Sequence, residues 1–545
     1  MNALLRHLVV LPIVIPLIAG AAMFFLAEAR RSARVTLAIT SMVAQLSVAV
    51  GLLYLTSDAA PYIWPQGVGV YAIGGWPAPF GIVLVVDRLT AVMLTLGAIV
   101  SLSTLIYSIA RWDRPGQPFH SLLQFLAMGL NGAFLTGDLF NLFVFFEILL
   151  AASYGLLLRG AGEARVKHGL HYIAVNLAAS LLFLIGVALI YGVAGTLNMA
   201  DLAGRAAALA PPARALLDAG AAILGIAFLV KAGSWPLNFW LPGAYSAAMA
   251  PVAAAFAMMT KVGFYAVLRI GTLIQEYDTL GAALFYIGLF TLVTGTIGML
   301  AAKQLARLVA FTVLMSMGIL LASLGLRNEA LTAPVLLYLI VSVLTTCAFF
   351  MLSGMTELTR VGDARPAEDA DPDADAANPL AYGIRKPSIY QIDDEVGVAL
   401  PAVTAFLGMM FVCCVLLVSG LPPLSGFIAK FALLATMLQP GAASGATWTL
   451  GAAIVVSGLA SVIALSRMGM RLFWSIATRA TPRLRVLEAA PVAVLVLLCL
   501  ALTIGADPVS RYLASAAQSL HQPDIYIHTV LSQETQREQR GAPRP

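Results

Sequence analysis

Four ionisable side chains fall inside stretches of sequence that are otherwise apolar enough to lie in lipid. They are Glu147, Lys231, Lys261 and Lys430. A charge buried in hydrocarbon costs from a few to more than ~10 kcal/mol, so such residues are rare and commonly mark proton or ion pathways. Carboxylates and amines both exchange protons, and a buried lysine can release its proton near neutral pH. The four residues therefore indicate a protein that moves protons or cations.

Glu147 and Lys231 are the natural pair among the four. The neighbours of Glu147 at helical spacing, such as Phe143 and Ala151, carry no positive charge, so its partner must come from another helix. An approaching carboxylate strengthens the hold of a lysine on its proton, and a departing one weakens it. Relative movement of the two side chains would thus switch proton affinity. A static salt bridge between helices is the alternative.

Lys261 and Lys430 have no acidic residue close to them in sequence. Tyr265 lies one turn after Lys261 and would continue a hydrogen-bonded path. Lys430 follows Pro423 by seven residues and would end a relay at a water-exposed cavity. Snorkelling to the membrane surface is the alternative for any membrane lysine. It is harder for Lys261, which lies well inside a long apolar run.

Weaker candidates accompany these four. His168, Tyr172, Asn176 and Ser180 recur every four residues, which gives one helix a polar stripe that would bring protons in. A histidine at the membrane surface is more often simply solvated. Asp138 opens the segment that holds Glu147, where an acidic residue is also a good helix cap.

The composition defines the setting of these residues. Of 545 residues, 60% are hydrophobic and 11% are charged, whereas a soluble domain has about 25% charged residues. A spanning helix needs about 20 apolar residues. The sequence predicts an all-α polytopic membrane protein with about fourteen spans. Their centres lie near residues 16, 46, 96, 128, 149, 181, 227, 258, 291, 316, 343, 415, 460 and 498.

The positions of Lys and Arg predict the topology. Of the 32 such residues, 18 fall in odd-numbered loops, whereas six fall in even-numbered loops and the N-terminus. Because basic residues concentrate in cytoplasmic loops, both termini should be extracytoplasmic. Asp87 and Arg88, at the start of the third span, are expected to pair with each other.

Two spans are interrupted by glycine and proline. The seventh reads KAGSWPLNFWLPGA from residue 231, and the twelfth reads GLPPLSGFIAKF from residue 420. Proline removes a backbone donor, and non-helical backbone at membrane depth persists only where protein or water satisfies it. Interrupted segments in corresponding positions of two halves are typical of transport sites. Ordinary proline kinks are the alternative.

These features divide the chain as follows. We predict spans 1–3 in residues 1–110, a first five-helix repeat in 120–271, a second, inverted one in 281–475, and span 14 in 489–506. An acidic, proline-rich cytoplasmic loop is expected at 361–395, and an extracytoplasmic tail at 507–545. Solvated linkers or docking segments for partner subunits are the two interpretations of both.

Other classes of function find no support in the sequence. Motifs for nucleotide, redox-cofactor or metal binding do not occur in a supporting context, and the four cysteines all fall in apolar segments. We therefore expect no cofactor and no nucleic-acid partner, and the identity of any metal-ion site stays open. Energy must come from an ion gradient or a partner.

Three segments carry a family resemblance. They are GDLFNLFVFFEILLAASYGLLL (137–158), the region 231–269 and GLPPLSGFIAKF (420–431). They resemble the antiporter-like proton-translocating subunits shared by complex I, membrane-bound hydrogenases and Mrp/Pha-type cation/proton antiporters. The length and the first segment are most similar to the D-type subunit of the Mrp antiporters.

The resemblance implies fourteen helices, two inverted five-helix repeats and a proton relay through Glu147, Lys231, Lys261 and Lys430. One departure concerns span 11, where relatives carry His and Lys but this chain reads LTTCAFF (344–350). Between Lys261 and Lys430 hydroxyls remain, and they would need ordered water to bridge. They include Ser316, Thr345 and Thr346.

Three hypotheses follow. The first is a proton-translocating subunit of a multisubunit Na⁺(K⁺)/H⁺ antiporter, with partner subunits of the A/B, C, E, F and G types, serving cation and pH homeostasis. The second is a pumping subunit of a complex I-like dehydrogenase or a membrane-bound hydrogenase. The third is a non-conducting scaffold that keeps the charges as inert salt bridges.

Overall fold

The computed structural model describes residues 7–26, 30–60, 63–64, 66–113, 118–160, 162–274, 277–363, 402–440, 444–473 and 484–532. Nineteen helices, α1–α19, and two strands follow in chain order. The first six spans are α1 Leu11–Phe25, α2 Arg31–Leu55, α3 Arg88–Ile109, α4 Phe119–Leu135, α5 Leu139–Leu157 and α6 Glu163–Ala194. Spans 7 and 8 are formed by α8 Pro211–Ala232, α9 Trp240–Ala247 and α10 Ala250–Ile274, after a short connecting helix, α7 Met199–Ala208. Then come α11 Tyr277–Ala301, α12 Leu305–Gly325, α13 Thr332–Asp363, α14 Ala402–Ser419, α15 Ser425–Met437, α16 Gly445–Phe473, α17 Val486–Ile504, α18 Ala506–His521 and α19 Asp524–Leu531.

The number of spans agrees with the sequence. Twelve helices in the described ranges are long and apolar enough to cross a membrane, and three shorter apolar helices, α1, α4 and α15, accompany them. Since α15 completes the span that α14 begins, the total is fourteen. The predicted all-α polytopic fold is confirmed.

Spans 7 and 12 are broken where glycine and proline predicted it. Helix α8 ends at Ala232 and α14 ends at Ser419. The next residues, Gly233 and Gly420, have φ angles of +71° and +76°, in the left-handed region that favours glycine. Each break falls in the fourth span of a predicted five-helix repeat. The boundaries of those repeats stay a prediction.

A small β-hairpin, which the spans predicted from the sequence do not include, precedes span 3. Strand β1 (Gly69–Ala72) pairs antiparallel with β2 (Val83–Val86), with Gly69 opposite Val86. The amide of Gly137 donates to the carbonyl of Val83 at 3.0 Å, which ties the hairpin to the turn between α4 and α5. The hairpin therefore fixes the end of the membrane domain at which span 5 begins.

Residues 506–532, which we call the C-terminal strap, correct the expectation of a solvated tail. Its helices α18 and α19 bury apolar side chains such as Leu513 and Tyr526 against the spans. Tyr512 lies 2.8 Å from the Thr56 hydroxyl, and Arg88 donates to Ser519 at 3.0 Å. The strap is thus part of the folded domain. Residues 533–545, and the acidic loop from 364 to its predicted end at 395, lie outside the described residues.

Candidate functional site

Glu147 and Lys231 come together through a third residue, Ser180. The Ser180 hydroxyl on α6 donates to the Glu147 carboxylate on α5 and accepts a hydrogen bond from the Lys231 ammonium on α8 at 3.2 Å. Lys231 is 7% exposed, stands in the last turn of α8, and lies 5.1 Å from the centre of the Phe146 ring. A hydroxyl that can both donate and accept joins the base and the acid in one hydrogen-bonded chain.

Ser180 was visible in the sequence only as the last member of the polar stripe on α6. The stripe turns inward: Tyr172, Asn176 and Ser180 are buried, whereas His168 is half-buried at the end of the helix. Tyr172 lies 2.7 Å from the Ser153 hydroxyl, and Asn176 donates to the Tyr172 carbonyl. The four-residue spacing therefore placed these groups correctly on one face, but it did not single out the bridge.

Lys261 lies at the centre of α10 and is 2% exposed. Its ammonium donates to the Ser316 hydroxyl on α12 at 2.8 Å, and that hydroxyl donates in turn to the Val313 carbonyl of its own helix. Full burial and a polar partner exclude snorkelling for this lysine. Ser316 thus belongs to the Lys261 site and not to a separate step further along.

The side chain of Lys430, on α15, reaches across the break in span 12 to the end of α14. Its ammonium donates to the carbonyls of Val418 and Ser419, at 2.8 and 3.1 Å. These are among the last carbonyls of α14, which lack partners inside their own helix, and a lysine there also complements the helix dipole. Gly420 lets the lysine stem pass, because a Cβ at that position would meet the Lys430 Cδ at 2.5 Å. Lys430 is therefore a cap as well as a charge.

The hydroxyls expected between Lys261 and Lys430 are occupied locally. Thr345 donates to the Val341 carbonyl at 2.7 Å, and Thr346 donates to the Ser342 carbonyl at 2.6 Å. Both acceptors are in the same helix, α13. A hydroxyl still accepts while it donates, so these residues can take part in a water-bridged path only as acceptors in this state.

Two of the accessory candidates serve other contacts. Asp138 caps α5, where its carboxylate accepts from the Asn141 amide at 2.8 Å. Tyr265 points its hydroxyl to the Phe134 carbonyl, at 2.7 Å, and lies 3.2 Å from the Thr90 hydroxyl. The hydrogen bonds of Tyr265 thus lead to α3 and α4.

A buried ion pair next to Tyr265 was missed in the sequence. Arg269 of α10 contacts Asp87, the cap of α3, at 2.6 Å, and both residues are about 5% exposed. The expectation that Asp87 pairs with Arg88 is wrong, because Arg88 pairs with Asp58. Tyr526 of the C-terminal strap lies over the Arg269 guanidinium, 5.4 Å from it. Because Asp87 and Arg269 are 182 positions apart, no local sequence pattern indicates that they pair.

An uncharged polar cluster joins α1, α2 and α4. Gln45 donates to Gln124 at 3.0 Å, while Asn131 donates to Gln45 at 3.3 Å and to the Pro12 carbonyl at 2.7 Å. The Pro12 carbonyl has no partner within α1, because Pro16, four residues later, has no N–H to donate to it. Amide side chains that bond across helices hold membrane helices together. This cluster therefore positions the first two spans.

Between α3 and α4, outside the spans, Asp113 holds Arg31 and His120. Burial alone would raise the pKa of the Asp113 carboxyl, but the hydrogen bonds from His120 and Arg31 outweigh it and hold that pKa below its usual value. Arg31 contacts the carboxylate at 2.8 Å. In the part of the chain that the structure describes, groups of three or more His, Cys, Asp or Glu that would hold a metal ion do not occur.

The chain is similar to known membrane proteins over most of its length. A family model described as NADH:quinone oxidoreductase/Mrp antiporter, TM, matches residues 136–369. The chain is 48% identical, over 546 residues, to a protein of Rhizobium meliloti (strain 1021) described as a probable K(+)/H(+) antiporter subunit of the D type. That match covers 97% of this chain and 98% of the relative. The chain belongs to the family of D-type antiporter subunits.

A further member of the family and a solved structure agree with this assignment. The D-type Na(+)/H(+) antiporter subunit of Bacillus subtilis (strain 168) is 32% identical over 538 residues, which cover 97% of this chain and 100% of that protein. A chain of the Mrp complex from Dietzia sp. DQ12-45-1b superposes with a TM-score of 0.79 at 25% identity, over 96% of this chain and 99% of that one. The resemblance found in the sequence is confirmed, and the complex I-like or hydrogenase alternative is not favoured. The chain is thus a multi-pass membrane protein of a transporter family.

Proposed function

We propose that the chain is the proton-translocating subunit of a multisubunit Na⁺(K⁺)/H⁺ antiporter in the bacterial inner membrane. The observation that carries the proposal is the Glu147–Ser180–Lys231 chain at the break of span 7. A carboxylate, a hydroxyl and an amine in hydrogen-bonded sequence form a route for a proton, and the adjacent non-helical backbone provides a place for movement.

In this proposal Glu147 and Lys231 form the switch. While Ser180 links them, the carboxylate stabilises the ammonium, so Lys231 keeps its proton. When Glu147 moves away or takes a proton itself, burial favours the neutral amine, and Lys231 releases its proton to the next group. Lys261, bonded to Ser316, receives protons in the middle of the domain, and Lys430 is the terminal amine.

The cation would cross elsewhere in the complex. The relative with 48% identity is described as a K(+)/H(+) antiporter subunit, and the one with 32% identity as a Na(+)/H(+) antiporter subunit. We infer partner subunits of the A/B, C, E, F and G types. The distribution of Lys and Arg supports a topology with both termini extracytoplasmic.

The test uses Lys231→Ala and Glu147→Gln in the complete complex, expressed in a strain that lacks other antiporters. Both variants should abolish Na⁺- or K⁺-induced collapse of a pH gradient in everted vesicles. The gradient is imposed artificially, without respiratory substrate, so a redox-driven pump would give no signal. Lys303→Ala, at an exposed lysine, is the matched control and should retain activity.

Assembly is measured in parallel by co-purification of the partner subunits. Normal assembly with normal antiport in Lys231→Ala would overturn the proton-translocating role and leave the scaffold hypothesis. Loss of antiport with normal assembly supports the switch.

A further inference from the structure

A polar cavity opens next to the C-terminal strap, away from the Glu147–Ser180–Lys231 chain. Its volume is about 310 Å³, which is enough for several water molecules. Thr272 of α10 and Ser323 of α12 line its inner wall, and Glu329, Thr332 and His521 line its rim. The cavity thus lies where the ends of three spans meet the strap.

The inner wall of this cavity continues the two helix faces that hold the Lys261 site. Thr272 follows Lys261 by eleven residues and Ser323 follows Ser316 by seven, and at 100° per residue both pairs lie within about 20° of one line along their helices. The hydrogen bond between Lys261 and Ser316 therefore lies directly below the cavity. The rise between Ser316 and Ser323 is roughly 10 Å.

Ser323 marks the wet end of this line. It is 1% exposed, and its hydroxyl finds no hydrogen-bond partner among the described residues. A buried hydroxyl without a partner destabilises the fold, whereas a polar cavity beside it can supply a water molecule as that partner. The position of Ser323 therefore points to water at the base of the cavity.

An apolar step separates the cavity from Lys261. Leu268, seven residues after Lys261, lines the cavity, and Leu320, four residues after Ser316, is fully buried between the two hydroxyls. Narrow apolar steps in membrane proteins stop conduction by excluding water. The step keeps Lys261 apart from the cavity in this conformation.

The rim is held by the strap. His521 lies 2.8 Å from the Thr332 hydroxyl and 3.9 Å from the Glu329 carboxylate. Burial lowers the pKa of the His521 imidazole, and the charge of Glu329 only partly opposes this, so the ring is neutral at pH 7. Arg327, which also lines the cavity, is engaged by other groups. The rim is therefore polar enough for water to enter, since it carries the neutral His521 ring, the negative Glu329 and the positive Arg327.

We propose that this cavity is the aqueous vestibule through which Lys261 exchanges protons with the outer face of the membrane. The proposal rests on the proposed function, because it needs Lys261 to carry protons. It replaces the last step of the relay described above, from Lys261 to Lys430. The Thr345 and Thr346 hydroxyls donate to their own helix and Lys430 caps α14, whereas the vestibule lets Lys261 release protons without passing them through these three residues.

Cysteine accessibility tests the vestibule. Ser323→Cys, in a background without the four native cysteines, should react with a membrane-impermeant methanethiosulfonate from the outside of right-side-out vesicles and not from everted ones. Ser457→Cys is the matched control: it is 1% exposed, its parent hydroxyl is satisfied by its own helix, and it should not react from either side. Modification of Ser323→Cys should lower antiport at least tenfold.

A second variant covers the case in which the cysteine disturbs folding. Ser323→Leu, which fills the base of the cavity, should reduce antiport at least tenfold while co-purification of the partner subunits is unchanged. An unreactive Ser323→Cys, or full antiport in the modified or Ser323→Leu protein, would overturn the vestibule. If Lys231→Ala abolishes antiport in the same assay, that result leaves the proposed function standing and rejects this exit alone.

Discussion

The bridge between Glu147 and Lys231 makes Ser180 the most informative position to change. Ser180→Ala removes one oxygen and leaves both charged groups in place. The hydroxyl now donates to the Glu147 carboxylate and accepts from the Lys231 ammonium at 3.2 Å. The variant therefore separates the link from the charges, which Lys231→Ala cannot do.

The expected magnitude follows from the type of bond. A hydrogen bond to a charged group contributes about 1.5–3 kcal/mol. Since 1.36 kcal/mol changes a rate tenfold, loss of the link should slow proton transfer about 10- to 150-fold if that step limits antiport. Ser180→Thr keeps a hydroxyl and should retain most of the activity. Ser457→Ala, at a position where the hydroxyl donates to the Ile454 carbonyl of its own helix, should change the rate less than twofold.

The assay is the initial rate of pH-gradient collapse in everted vesicles, normalised to the amount of assembled complex. The ratio of Ser180→Ala to Ser180→Thr isolates the hydroxyl from effects of side-chain volume. Equal rates for Ser180→Ala and the parent, at equal assembly, would show that the charges communicate without this residue and would refute the hydroxyl-linked switch.

Two further predictions concern stability. Arg269→Met should destabilise the purified chain by about 3–5 kcal/mol, because it leaves Asp87 buried without a counter-charge. The double variant Asp87→Asn/Arg269→Met should recover more than half of this loss. Thermal unfolding in detergent measures both effects, and a double variant as unstable as Arg269→Met would contradict the pairing. Asn131→Leu should destabilise the chain by about 0.6 kcal/mol, the average for hydrogen bonds between membrane helices, and at most by about 1.7 kcal/mol. The loss should be smaller in a Pro16→Ala background, because the new N–H of residue 16 takes over the Pro12 carbonyl that Asn131 contacts. Additive losses in the same thermal assay would count against this account.

The features that the sequence predicted are those with a local cause. Fourteen spans follow from runs of apolar residues, and the breaks in spans 7 and 12 follow from glycine and proline at known positions. The four buried charges were found because each one is costly where it stands. The polar stripe on α6 followed from four-residue spacing.

The features that the sequence did not predict depend on contacts between distant segments. Ser180 is one hydroxyl among many, and its role comes from Glu147, 33 positions away, and Lys231, 51 positions away. The Asp87–Arg269 pair replaced a local pairing that looked sufficient, because a charge on α10 was closer in space than the adjacent Arg88. Residues after 506 begin with an amphipathic pattern, which indicates a helix but does not show against which surface its apolar face packs.

The C-terminal strap also sets an order of events during synthesis. Its contacts join the beginning and the end of the chain: Ser519 meets Arg88 across 431 residues, and Tyr512 meets Thr56 across 456. At about 5–20 residues per second, the ribosome needs roughly 20–90 s to make the intervening chain. During that time the end of span 3 at Arg88 has no strap over it. This end of the domain is therefore closed last, after every span has been made.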